Sequence, residues 1–126
     1  MARTKSPILT EGELRIMNVL WKAGPSTVKR VVDSLPAELD LAYTTILTTL
    51  QNMEKKGVVS HKEKGRAYEY HAVVKQSEAQ RSAIKYIVNR FFNDSPEQLV
   101  LNVIENEEID PEVVQRLNSL LDESDT

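Results

Sequence analysis

From Tyr43 onward apolar residues return at three- and four-residue steps, as Tyr43, Ile46, Leu47, Leu50 and Met53, with Thr44, Thr48, Gln51, Asn52 and Lys55 between them. This spacing predicts an amphipathic helix from about Ala42 to Lys56 whose first set forms a buried stripe. Gly57 ends it as a left-handed cap. The same periodicity continues upstream. Thr10-Glu11-Gly12-Glu13 reads as a capping box opening a helix that turns Leu14, Met17, Leu20 and Trp21 inward, until Gly24-Pro25 stops it. Ser26 is then expected to cap a second, short helix with Val28, Val31, Val32 and Leu35 on its apolar side, closed by Pro36. Three short helices, the last with a polar outer face, predict a helix-turn-helix whose third helix enters a DNA major groove.

The period changes after Gly57. Val58 to Glu63 and Ala67 to Val73 are β-prone, and Tyr68, Tyr70 and Ala72 alternate with Glu69 and His71, which predicts a hairpin around Lys64-Gly65-Arg66. Lys62, Lys64 and Arg66 then sit on or near its tip, a charge pattern suited to phosphates or a minor groove; the alternative is an ordinary charged turn. Three more helical patterns follow. Ser77 is expected to cap one bearing Ala83, Ile84, Ile87, Val88, Phe91 and Phe92. Ser95-Pro96-Glu97-Gln98 opens one bearing Leu99, Val100, Val103 and Ile104. Asp110-Pro111 opens one bearing Val113, Val114, Leu117, Leu120 and Leu121, before an acidic, disordered-looking end at Asp122 to Thr126.

The composition of the third helix changes what its polar side means. β-Branched threonines cost rotamer freedom in a helix, and a merely soluble surface is better served by Glu, Lys or Ala. Thr hydroxyls can bond phosphates or base edges, the Thr methyl can meet a thymine methyl, and Asn or Gln can pair bidentately with adenine. Charge adds a division along the chain. Residues 1–75 carry 12 Lys or Arg against 8 Asp or Glu, a net of +4, while residues 76–126 carry 4 against 11, a net of −7. We therefore expect a DNA-binding domain over 1–75 and a separate helical region over 76–126. The latter holds more apolar surface than so short a segment can enclose, which predicts burial against a second copy as a homodimer; folding back on the basic half is the monomeric alternative. Ile84, Ile87, Val88, Phe91, Leu99, Val103, Leu117, Leu120 and Leu121 are the candidate dimerisation residues.

Among the 126 residues there is no cysteine, which removes disulfides, thiolate metal sites and cysteine nucleophiles and fits a reducing cytoplasm. Met1 to Ser6 carries Arg3 and Lys5 without a following apolar region, and no apolar run is long enough to span a bilayer, so neither a signal peptide nor membrane insertion is expected.

Taken together, Leu20-Trp21 before Gly24-Pro25-Ser26-Thr27-Val28, then Ala42-Tyr43-Thr44-Thr45-Ile46, Leu50-Gln51, Lys55-Lys56-Gly57, Gly65-Arg66-Ala67-Tyr68-Glu69-Tyr70 and Leu99-Val100 resemble the penicillinase repressor and methicillin-resistance repressor family of bacterial transcription regulators, over about residues 8–122. The resemblance implies a mainly α fold with a small β-hairpin: a winged helix-turn-helix domain followed by a helical dimerisation region. It also implies a homodimer on a double-stranded operator palindrome built around TACA and TGTA. By position it makes Thr44, Thr45, Thr48 and Asn52 base or backbone readers, with Lys64 and Arg66 on the wing. Leu47 and Asn52 stand where several members carry arginine, which points to an A/T-weighted site. In the antibiotic-responsive branch, a membrane sensor metalloprotease system triggers cleavage of an Asn-Phe bond in the dimerisation region. Asn102-Val103 aligns with that bond, with valine in place of phenylalanine. Copper-responsive relatives use clustered cysteines, which this chain lacks.

No catalytic chemistry, metal or cofactor is expected. His61 and His71 could face each other across the hairpin, yet two imidazoles without a carboxylate cluster do not make a zinc site. Glu105, Glu107, Glu108 and Asp110 lack calcium-loop spacing and read as a solvated helix junction. No phosphate-cradling glycine loop or nucleophile motif is present. The alternatives kept open are a winged-helix protein-interaction module and a small-molecule-responsive regulator without proteolytic switching.

Overall fold

The computed structural model describes residues 9–124, and the chain divides into two compact units, the first ending at Tyr86 and the second beginning at Ile87. The basic start with Arg3 and Lys5 lies outside the described residues.

In the first unit, helix α1 (Glu11–Ala23) opens with the expected capping box: the Thr10 hydroxyl accepts from the Glu13 N–H at 3.2 Å, and the Glu13 carboxylate accepts from the Thr10 N–H at 3.0 Å. Gly24 follows with φ +84°, and its N–H closes on the Leu20 carbonyl. Chain reversal then places Ser26–Thr27 in a short strand, β1, before helix α2 (Val28–Ser34). Here the structure corrects the expected cap. Thr27, not Ser26, accepts from the Arg30 N–H, while Ser26 is buried, donates its hydroxyl to the Gly24 carbonyl at 2.8 Å, and pairs with the sheet. A short 3₁₀ turn, Ala37–Leu39, leads to α3 (Tyr43–Lys56), which Gly57 closes at φ +86°, a conformation glycine adopts without Cβ strain.

Strands β2 (Val59–Lys64) and β3 (Ala67–Ala72) form the hairpin, joined by Gly65 and Arg66 alone. Gly65 has φ +65°, matching the first position of a two-residue hairpin turn that demands glycine. β1 adds to β3, giving an antiparallel sheet in the order β1-β3-β2. The expected two-stranded hairpin is thus a three-stranded sheet, because the two residues after Gly24-Pro25 are extended enough to pair at Ser26 with Tyr70 and Thr27 with Glu69.

Ile16, Met17, Leu20, Val28, Val31, Ile46, Leu50, Met53, Val58, Val59 and Tyr70 make one buried cluster beneath the three helices and the sheet. Trp21 packs at its edge and donates its indole N–H to the Val74 carbonyl at 2.9 Å, tying α1 to the segment beyond β3. Two expected core residues lie outside: Leu14 is 42 % and Tyr43 52 % exposed. Each is the first apolar residue of its helix pattern, where a turn lacks a preceding turn to pack under. Leu47 is half-buried.

Helix α4 (Gln76–Phe91) begins one residue before the expected cap. Glu78 reaches back to the Lys75 N–H at 2.9 Å, so Ser77 lies inside the first turn. After the turn residues Asn93 and Asp94, both at positive φ, the Ser95 hydroxyl caps α5 (Pro96–Asn106) by accepting from the Gln98 N–H. The Asp110 carboxylate accepts from the Glu112 N–H at the start of α6 (Pro111–Ser124). α6 extends through Ser124, further than the expected disordered end at Asp122, since no glycine or proline interrupts it; residues 125 and 126 lie outside the described residues.

Candidate nucleic-acid interface

Helix α3 is held from beneath and at its end. Ile46, Leu50 and Met53 sink into the core, which turns the opposite face outward. At its last turn, Lys56 Nζ donates to both Glu13 oxygens at 2.8 and 2.7 Å, so the end of α3 is pinned to the start of α1. Burial alone raises the pKa of Glu13, a residue only 6 % exposed, but donation from Lys56 and the Thr10 N–H outweighs burial and leaves the carboxyl below its ordinary value of 4.5.

On the outward face Thr44, Thr45, Thr48 and Asn52 are all exposed, as are Gln51 and Lys55. Thr49, between the two faces, spends its hydroxyl on the Thr45 carbonyl at 2.8 Å. The outward row has the 3–4 residue spacing that lets one helix edge follow a groove. Lys64 and Arg66 are exposed at the hairpin tip, Lys64 ending β2 and Arg66 in the turn. Lys64 has Glu69 at 3.9 Å, a loose pair on a 75 % exposed side chain that leaves the ammonium available to a stronger anion.

Between these two sets lies a hollow of about 600 Å³ that gathers Lys29 from α2, Tyr43, Leu47 and Gln51 from α3, and Arg66 and Tyr68 from the hairpin. Sequence reasoning missed Lys29, Tyr43 and Tyr68 as members of this face. The signal was present in the 43, 47, 51 spacing, which draws a row beside the buried 46, 50, 53 row, and in the phenol groups, which suit a half-wet position.

The two histidines do not face each other. His61 pairs opposite Tyr70 and His71 opposite Ser60, so neighbouring register places the two rings on opposite faces of the sheet. His61 turns to α3, where Glu54 accepts from Nδ1 at 2.7 and 3.0 Å. Burial pushes the Tyr70 phenol pKa up, and the nearby Glu54 carboxylate adds to that. Among the described residues no group of three His, Cys, Asp or Glu side chains is placed to hold a metal, and no helix is long and apolar enough to cross a membrane.

This arrangement of helix, exposed threonines and hairpin can be set beside known proteins. A model of the penicillinase repressor family matches residues 9–123. The chain belongs to that family. The penicillinase repressor of Bacillus licheniformis is 29 % identical over 119 residues, covering 94 % of this chain and 93 % of that protein. The methicillin resistance regulatory protein MecI of Staphylococcus aureus (strain N315) is 22 % identical over 113 residues, covering 90 % and 92 %. Among solved structures, the DNA-binding domain of the repressor BlaI superposes with a TM-score of 0.52 at 29 % identity, over 60 % of this chain and 93 % of that domain. The expected mainly α fold with a small β element is thus borne out, and the part that superposes on the BlaI domain is a winged helix with α3 as its third helix and β2–β3 as its wing.

In the second unit the residues expected at a dimer contact are mostly on the surface. Phe91 is 74 % and Val103 40 % exposed; Ile87, Leu117 and Leu120 are exposed as well, as is Ile84 just before the division. Leu99 is half-buried, and Val88 is already covered within the single chain. The side chain of Leu121 lies outside the described residues. Asn102 is exposed in the middle of α5, donating its amide to the Gln98 carbonyl, with Val103 next to it.

Proposed function

We propose that this penicillinase repressor family member is a homodimeric transcriptional repressor that holds a palindromic operator of the TACA/TGTA type. α3 of each copy lies in a major groove and each wing rests on the backbone. The observation that carries the reading is the exposed row Thr44, Thr45, Thr48 and Asn52 on a helix fixed by Ile46, Leu50, Met53 and Lys56, with Arg66 and Lys64 beside it. Thr methyls and the Asn52 amide match thymine methyls and adenine edges, and the wing cations match phosphates. The names of the B. licheniformis repressor and of the BlaI DNA-binding domain support the repressor and DNA-binding part of this reading.

Two half-sites require two chains, and the second unit supplies a reason for them to meet. Val88 is its one buried hydrophobic residue among the described ones, while Phe91, Val100, Leu101, Val103 and Ile104 are exposed. Burying such a surface is favourable at about 25 cal/mol per Å² of apolar area, and a second copy offers the same face in return. Release of DNA then follows from cutting this region at Asn102-Val103 under a membrane sensor metalloprotease. The bond sits inside α5, so cleavage requires local unwinding, which an 11-residue helix without buried residues permits at low cost.

Titrating the full chain against a TACA/TGTA duplex and a scrambled duplex at rising salt tests the first part. The reading predicts preference for the palindrome and a steep loss of affinity with salt. Equal binding to both, or binding indifferent to salt, would instead favour a protein-interaction module. Mass spectrometry after co-expression with a candidate sensor protease tests the second part, through fragments ending at Asn102.

A further inference from the structure

Glu54 and His61 belong neither to the core nor to the outward row of α3, yet they make the shortest polar contact between that helix and the wing. His61 Nδ1 lies 2.7 and 3.0 Å from the two Glu54 oxygens, and its ring lies 4.6 Å from Tyr68 and 5.3 Å from Tyr70, centroid to centroid. A carboxylate can only accept, so Nδ1 carries the proton in this contact whether or not Nε2 is also protonated. The groups facing the imidazole are therefore one carboxylate from α3 and two phenol rings from β3.

Two features make this contact more than an incidental surface pair. Glu54 stands in the last turn of α3, where the helix dipole disfavours a negative charge, so an acidic residue there gains by having a hydrogen-bond donor. The position of His61 is the second. β1 reinforces the sheet only opposite Glu69 and Tyr70, so from Tyr68 to the turn the wing is a two-stranded ribbon. Such ribbons twist and flex more than a three-stranded sheet does. His61, directly opposite Tyr70, sits at the root of that free ribbon and grips it from the α3 side.

We propose that Glu54 and His61 form a latch that sets the angle of the wing against α3, making both of them positioning residues for operator binding. The inference rests on the DNA reading above. With the latch closed, Arg66 and Lys64 meet the backbone while Thr45 and Asn52 occupy the groove. With it open, wing and helix bind out of step, and the wing's contribution is lost to motion.

The test uses the full chain and a fluorescent TACA/TGTA duplex, with His61→Ala, Glu54→Ala and Glu54→Gln, each also combined with Lys64→Ala/Arg66→Ala. His61→Ala and Glu54→Ala should each weaken binding by about 3- to 10-fold, the range of one net hydrogen bond. Glu54→Gln, whose amide oxygen still accepts from Nδ1, should retain most of the affinity. In the Lys64→Ala/Arg66→Ala background the same changes should have almost no effect, because the wing no longer holds the backbone. A loss of equal size in that background would mean general damage to the fold and overturns the latch. So would unchanged affinity in both alanine variants. A wild-type chain that shows no preference for the duplex would overturn the DNA reading itself, a result separable from the others because no variant is needed to see it.

Discussion

The two units of this chain solve the problem of burying apolar side chains in opposite ways. The first encloses eleven buried hydrophobic residues, from Ile16 to Tyr70, between three helices and a small sheet, and leaves threonines, amides and cations outside. The second has comparable helical periodicity in α5 and α6 but turns Val100, Leu101, Val103, Ile104, Val113 and Leu117 to the surface. One unit is complete as a single copy, and the other is a face without a core. The lesson is that helical amphipathicity reports where apolar residues gather and not what will cover them. In the first unit the cover is a crossing helix and a sheet, whereas the second has only the end of α4, the 11-residue α5 and the 14-residue α6, too little chain to enclose a core of its own.

The contrast breaks most severely if the core of the first unit is dispensable. Leu50→Ala removes a fully buried side chain beneath α3 and should cost about 2 to 5 kcal/mol in urea unfolding, with operator binding lost as the helix loosens. Phe91→Asp with Val103→Asp should do the reverse: leave the fold of the first unit intact by circular dichroism and lower operator affinity by about 100-fold or more, because each half-site must then be bound alone. Dependence of the wild-type melting temperature on protein concentration, absent in that variant, would sharpen the point.

Smaller effects test how the first unit presents its outer face. Asn52→Ala should weaken specific binding by about 1 to 3 kcal/mol while leaving association of copies unchanged. Glu13→Gln should cost about 1 to 2 kcal/mol near neutral pH by weakening the tie to Lys56. The sign follows from the lowered carboxyl pKa. The wild-type contribution is complete above the ordinary value of 4.5 and disappears as the pH falls through the lower folded value, so the two proteins should converge in acid. Arg66→Ala, the mildest change, should reduce affinity for all duplexes alike and lower the salt slope by about one. Selective loss on the palindrome would move Arg66 from the backbone to the bases.

Much of this was legible along the chain because the signals were local. The Thr10 to Glu13 capping box, Gly57, Gly65 and Ser95 each act within a few residues, and each holds in the structure. What escaped depended on partners distant in sequence. β1 exists because Ser26 and Thr27 find Glu69 and Tyr70. Periodicity alone could not separate Tyr43 from the buried stripe: at the first turn of α3 it lines the hollow with Arg66 and Lys29 and stays outside the core. The Glu54–His61 contact was hidden for a related reason: both residues look like ordinary surface positions until the hairpin folds back on α3.

The central claim is that the coreless unit brings two winged helices to one operator. Sedimentation equilibrium of the full chain on a duplex with a single TACA/TGTA palindrome tests it most directly. Two chains per duplex, at concentrations where the free chain is also paired, is the predicted result. A stable complex of one chain per duplex would contradict it.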